Sequence, residues 1–99
     1  DAPAVIFPCM DKSLHTWALY DMGSASMLIQ LAAHEAGLGC ITAYHMGCYP
    51  KVLHKELHIP DNLAILLGIA IGYKDEKSIE NKDKAVRTKI EDILTIVER

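Results

Sequence analysis

A chain of 99 residues, 51% of them hydrophobic and with a formal net charge of −3, is a single small domain with a high apolar content for its size. The acidic balance gives no electrostatic case for nucleic acid or an anionic membrane as partner, and no stretch reads as a signal peptide or membrane span. Cys9, Cys40 and Cys48 form no CxxC pair, so reduced thiols and a cytoplasmic setting are expected.

Ala2 to Met10 (APAVIFPCM) reads as a short strand in which Pro8 interrupts pairing near the end. Asp11-Lys12-Ser13 is a turn, and Trp17 and Tyr20 lead into a long helix. From Met22 to Ala36 there is no proline, and Ala, Leu, Met, Gln and Glu dominate. Ser26, Gln30 and His34 make a polar stripe only about 80° wide at 100° per residue. Such a helix is expected to be buried on most sides, in a core or a subunit interface. Gly37 supplies the left-handed residue that ends it, and Cys40 to Tyr44 is strand-like. The Gly37-Leu38-Gly39 here closes a helix before a strand, so it is no dinucleotide fingerprint.

Met46 to Tyr49 is a connection, and Pro50 opens a second helix to Leu57. Ile59-Pro60 stops it, and Pro60-Asp61-Asn62 is a turn. Leu63 to Tyr73 (LAILLGIAIGY) is apolar on both faces, the pattern of a central strand. Gly68 and Gly72 within it mark close backbone approach or a bulge. Lys74 to Lys89 is a charge-dense connection with six basic and four acidic residues. Thr88 and Glu91 fit a capping box, and Ile90, Ile93, Leu94 and Val97 recur at helical spacing. The periodicity predicts a terminal amphipathic helix.

His54 and His58 stand at i, i+4, but the glutamate is misplaced for HExxH, so a surface pair is expected and no metal site. Nothing in the spacing of Cys40, Cys48, His34 and His45 requires a nucleophilic site. His34 is expected to make one hydrogen bond on a buried helix. Thr42 to His45 is more informative, because backbone N–H groups freed where a strand ends can face a ligand.

Asp21-Met22-Gly23, Leu31-Ala32-Ala33-His34, Gly37-Leu38-Gly39, the stretch PKVLHKELHIPDN and the strand-ending Gly72-Tyr73 together resemble the C-terminal half of the nitroreductase family. That family comprises FMN-dependent oxidoreductases, and the resemblance runs from Ala2 to Glu98. It implies that residues 1–99 are the C-terminal part of one nitroreductase-like domain. The expected fold is α/β, of the α+β nitroreductase-like kind: three strands alternating with two helices, plus a C-terminal arm or helix.

The resemblance further implies FMN as cofactor, NAD(P)H as electron donor, and a nitro compound, quinone or similar small-molecule acceptor. A homodimer is implied as well. By similarity Thr42, Tyr44 and His45 lie along the flavin ring and offer backbone hydrogen bonds, although Thr-Ala-Tyr-His replaces the frequent Pro-x-Glu-Gly. Arg87 matches an arginine that contacts the FMN phosphate, a task suited to its two-pronged guanidinium. Ala85 stands where a second basic residue is usual, with Lys84 beside it, and the family's N-terminal Arg/Ser phosphate motif has no counterpart here. The flavin carries the chemistry, with no catalytic side chain from this segment. A different class of protein, a non-catalytic flavin-binding or dimerising module without the N-terminal half, is the alternative.

Overall fold

A computed structural model describes residues 2–98. The first strands are β1 (Ala4–Ile6) and β2 (Cys9–Asp11), followed by helix α1 (Trp17–Glu35) and strand β3 (Gly39–Ala43). A 3-10 helix, Tyr44–Gly47, leads into helix α2 (Pro50–Glu56), strand β4 (Leu63–Ile65) and strand β5 (Gly68–Gly72). The two long apolar runs of the sequence are thus each broken in two. Pro8, which lacks an N–H, separates β1 from β2. Leu66 and Leu67 separate β4 from β5, and the Leu66 N–H turns aside to the Pro8 carbonyl at 3.3 Å.

Strand β5 is central, as its two-faced apolarity predicts. It lies between β1 and β3 and pairs antiparallel with both, while β2 and β4 form a separate antiparallel pair. The architecture is α+β, so the rule that ligands gather beyond the C-termini of parallel strands does not apply to it. Ile69 is fully buried and Ala70 nearly so, and with the buried Ala33 of α1 they make up the small apolar core. A Cβ on Gly72 would stand 2.6 Å from Pro3 Cδ, which explains the second glycine of the strand.

Helix α1 starts five residues earlier than the sequence pattern indicates, because Trp17 to Asp21 contains nothing that breaks a helix. It ends as expected. Gly37 has φ +74°, and two bonds close the last turn: Leu38 N–H to Ala33 O at 2.8 Å and Gly37 N–H to His34 O at 2.9 Å.

The expected burial of α1 in a core is not found among the described residues. Its polar Ser26 faces inward, while Leu19, Tyr20, Met27, Leu28 and Leu31 are exposed. His34 is exposed too. The terminal amphipathic helix is also absent. Ile90–Asp92 is a lone 3-10 turn begun by Lys89 without a side-chain cap, and residues 79–98 are exposed throughout. A short helix in water is marginal unless its apolar face is packed, and none of that face is packed here. The segment is an arm.

The molecule is open. Its radius of gyration is 17.0 Å, against roughly 13 Å for a compact chain of this length. Its accessible surface of 8627 Å² exceeds that of a compact protein of equal mass by about 3,000 Å².

Candidate functional site

The end of β3 is fixed by its ladder to β5, in which Thr42 faces Ile69 and Ala43 faces Gly68. Beyond Ala43 the chain leaves the ladder and winds at once into the 3-10 helix Tyr44–Gly47. Gly68 makes that possible. A Cβ on Gly68 would lie 2.6 Å from Met46 Cβ and 2.9 Å from Met46 Sδ, so the helix rests directly on bare strand backbone. This seats Met46 inward and leaves Thr42, Tyr44 and His45 exposed on one turn of chain.

The first N–H groups of any helix lack intrahelical acceptors. Here those belong to Tyr44 and His45. The Tyr44 and His45 rings meet edge to face, with centroids 6.2 Å apart and planes at 87°. Cys48 N–H closes the turn on His45 O at 3.2 Å. The arrangement offers a ligand uncommitted backbone donors, a hydroxyl and an aromatic wall.

The structure brings Thr42, Tyr44 and His45 together but does not join Arg87 to them. Arg87 lies exposed on the arm, and no ion pair or hydrogen bond holds it among the described residues. Of the three thiols, Cys9 is drawn down by a bond to Phe7 O at 3.3 Å, and burial pushes its pKa up, away from nucleophilic use.

His54 and His58 do not share a helix face. Helix α2 stops at Glu56, and His58 takes φ +54° as the left-handed residue beyond its end. His54 instead helps line a cleft of about 420 Å³ with Lys12, Pro50, Lys51, Lys55 and Asp61. Sequence reasoning missed this group. The signal was the spacing of Lys51, His54 and Lys55 at i, i+3, i+4, overshadowed by the histidine pair. No described helix is long and apolar enough to cross a membrane.

No protein-family model matches the chain. Among curated proteins it is 29% identical over 97 residues to a nitrobenzene nitroreductase of Ectopseudomonas oleovorans, covering 98% of this chain and 43% of that one. It is 34% identical over 94 residues to a putative NADH dehydrogenase/NAD(P)H nitroreductase of Archaeoglobus fulgidus, covering 84% of this chain and 52% of that one. The chain spans about half the length of the curated relatives it matches. Its fold superposes with a TM-score of 0.92 on the FMN-dependent nitroreductase NfnB of Mycobacterium smegmatis, solved in complex with NADPH, at 22% identity over 98% of this chain and 43% of that one. A Bacteroides fragilis nitroreductase with bound FMN gives a TM-score of 0.79 at 25% identity, over 98% of this chain and 52% of that one.

Proposed function

We propose, for what is a partial nitroreductase-like chain, that it serves an FMN-dependent oxidoreductase that passes electrons from NAD(P)H to a nitro compound, quinone or similar acceptor. The observation that carries this reading is the likeness over nearly the whole chain to a nitroreductase with bound FMN. The exposed turn after β3 fits the ring of such a cofactor. Its free N–H groups at Tyr44 and His45 suit the acceptor atoms of an isoalloxazine, and Thr42 adds a hydroxyl. When bound, the flavin would supply hydride and electron chemistry.

The chain's own part is to orient. The Gly68–Met46 contact seats the turn against β5, which would set its backbone donors in place for a ligand. The exposed Tyr44 ring would shield one side of a bound flavin from water. Arg87 contributes to the phosphate end, where its guanidinium can hold two oxygens.

We also propose a homodimer in a cytoplasmic setting. Three free cysteines support the second point. The surface excess of about 3,000 Å², against roughly 800 Å² per partner in a standard interface, supports the first together with burial against the rest of a longer chain.

The test is a flavin-fluorescence titration of the complete polypeptide with FMN and with riboflavin, on wild type and Arg87→Ala. FMN is expected to win, and the variant to lose about 1.5–3 kcal/mol of FMN binding while riboflavin binding stays constant. Tight FMN binding that Arg87→Ala leaves unchanged would overturn the phosphate assignment. Absence of flavin binding would overturn the reading as a whole. Flavin binding without oxidation of NADH or NADPH would favour the non-catalytic module.

A further inference from the structure

We propose that the cleft between α2 and the Lys12–Asp61 corner binds a hydrogen-phosphate group, as inorganic phosphate or as the singly protonated monoester of a nucleotide. In a chain of net charge −3, three lysines line this one cleft against a single lining carboxylate, Asp61. Lys51 and Lys55 stand one turn apart on α2, a like-charge pair that works against so short a helix. Lys55 reaches Glu56 at 3.8 Å, but both side chains are exposed and the pair is weak. Lys12 and Lys51 have no ion pair among the described residues. Lys12 Nζ donates to the backbone oxygen of Asp61 at 2.6 Å, not to its carboxylate, so the ammonium is held at the corner with its charge uncompensated.

His54 makes the cleft more than a cationic surface. Its Nδ1 lies 2.9 Å from Ile59 O, and its own carbonyl accepts the Ile59 N–H at 3.0 Å. This two-point clamp requires the chain to double back through His58 at φ +54°, a conformation that disfavours any residue with a Cβ. A carbonyl can only accept, so in the neutral ring Nδ1 carries the proton and Nε2 is left as an acceptor. The cleft is therefore lined by three lysines and by a histidine whose ring is pinned with Nε2 as its remaining acceptor. Hydrogen phosphate matches that set: its oxygens accept, and its P–OH donates to Nε2. Sulfate and phosphodiesters have no such proton, and chloride offers no directional match. A volume of about 420 Å³ accommodates the group with part of a nucleotide. The cleft needs no flavin to do this.

The experiment follows the His54 ring nitrogens and the lysine Nζ resonances by NMR on the complete polypeptide. It is titrated at constant ionic strength with sodium phosphate, sodium sulfate, NADP+ and NAD+. Phosphate should saturate the His54 response, with sulfate about tenfold weaker, the effect of one missing hydrogen bond. The double variant Lys51→Gln/Lys55→Gln should weaken phosphate binding by about tenfold or more, and Lys12→Gln by a smaller factor. NADP+ binding tighter than phosphate, with NAD+ silent, would support the proposal and identify the dinucleotide's monoester as the source. NADP+ binding no tighter than phosphate would support it with the free anion as the source. Equal responses to sulfate and phosphate would overturn it. So would phosphate affinity unchanged in lysine variants whose spectra show the native fold.

Discussion

Strand β5 and the outer face of α1 are both apolar, yet Ile69 is 0% exposed while Leu28 is 66% exposed and Tyr20 75%. The difference lies in what each can reach within these residues. Strand β5 has a hydrogen-bonded neighbour on each side and α1 packing against the sheet through β3. Helix α1 packs chiefly on β3, and the residues it buries are Ser26 and Ala33. Side-chain character therefore reports that a surface is to be buried, and not against what. The apolar residues on the outer face of α1 and on the arm stay exposed among the described residues.

Substitutions can break or sharpen this contrast. Ile69→Ala should cost the most, about 2–5 kcal/mol in chemical denaturation, because a fully buried side chain leaves a cavity. Leu28→Ala should cost far less in the monomeric chain. If the two losses are equal in the assembled protein, the outer face of α1 is covered there as completely as β5. Gly68→Ala should come next, at about 1–3 kcal/mol, since its Cβ collides with Met46 and lies 3.2 Å from Phe7. If urea titration instead finds the variant neutral, the 3-10 helix does not rest on β5 as described.

Two further glycines test α1 itself. Gly37→Ala should destabilise by about 1 kcal/mol through its positive φ alone, since no atom lies within 4 Å of the new Cβ. Gly23→Ala has equally open surroundings within a regular helix, and should stabilise the chain by about 0.5–1 kcal/mol. Gly23 lies in a shallow groove with Tyr20, Ser24, Met27 and Leu28. A destabilising Gly23→Ala in the assembled protein would mean that a partner packs into that groove.

The smallest effect is electrostatic and lies at the join of β2 and β4. The Ser13 hydroxyl and backbone N–H, then the Asn62 amide, hold the Asp11 carboxyl below the usual carboxylate range. A depressed folded pKa gives stability that is present above the unfolded value, near ~3.9, and lost as pH falls through the folded one. Asp11→Asn should thus flatten the acid limb of a pH–stability curve and change little at its lower end. A parallel offset at every pH would show that the hydrogen bonds matter and the charge does not.

Much of the fold was legible because it rests on local chemistry. Gly37 had to be left-handed and Pro50 had to open α2, and Ile59-Pro60 barred the helix from running on, although it already ends at Glu56 with the left-handed His58 beyond it. Strand β5 was legible as central because apolarity on both faces has few other solutions. The breaks at Pro8 and Leu66-Leu67 were harder: the first had a proline to mark it, while the second depends on a tertiary bond to the Pro8 carbonyl. The terminal helix misled because Ile90, Ile93, Leu94 and Val97 carry helical spacing without a surface to pack on. At the candidate site, adjacency kept Thr42, Tyr44 and His45 together. No such constraint ties Arg87 to them, and the lysine cleft joins residues 12 and 61, which no spacing rule connects.

The open shape of the molecule bears on how its stability should be read. A separate partner that covered the spare surface would bind the native chain and not the unfolded one, and so would add RT ln(1 + [L]/Kd) to the free energy of unfolding. Once the partner is in excess of Kd, each tenfold rise in its concentration adds about 1.4 kcal/mol. The melting temperature is then a property of a solution and not of a sequence. If what covers the surface is a second molecule, dilution alone lowers the melting temperature; if it is the rest of the same polypeptide, dilution leaves it unchanged.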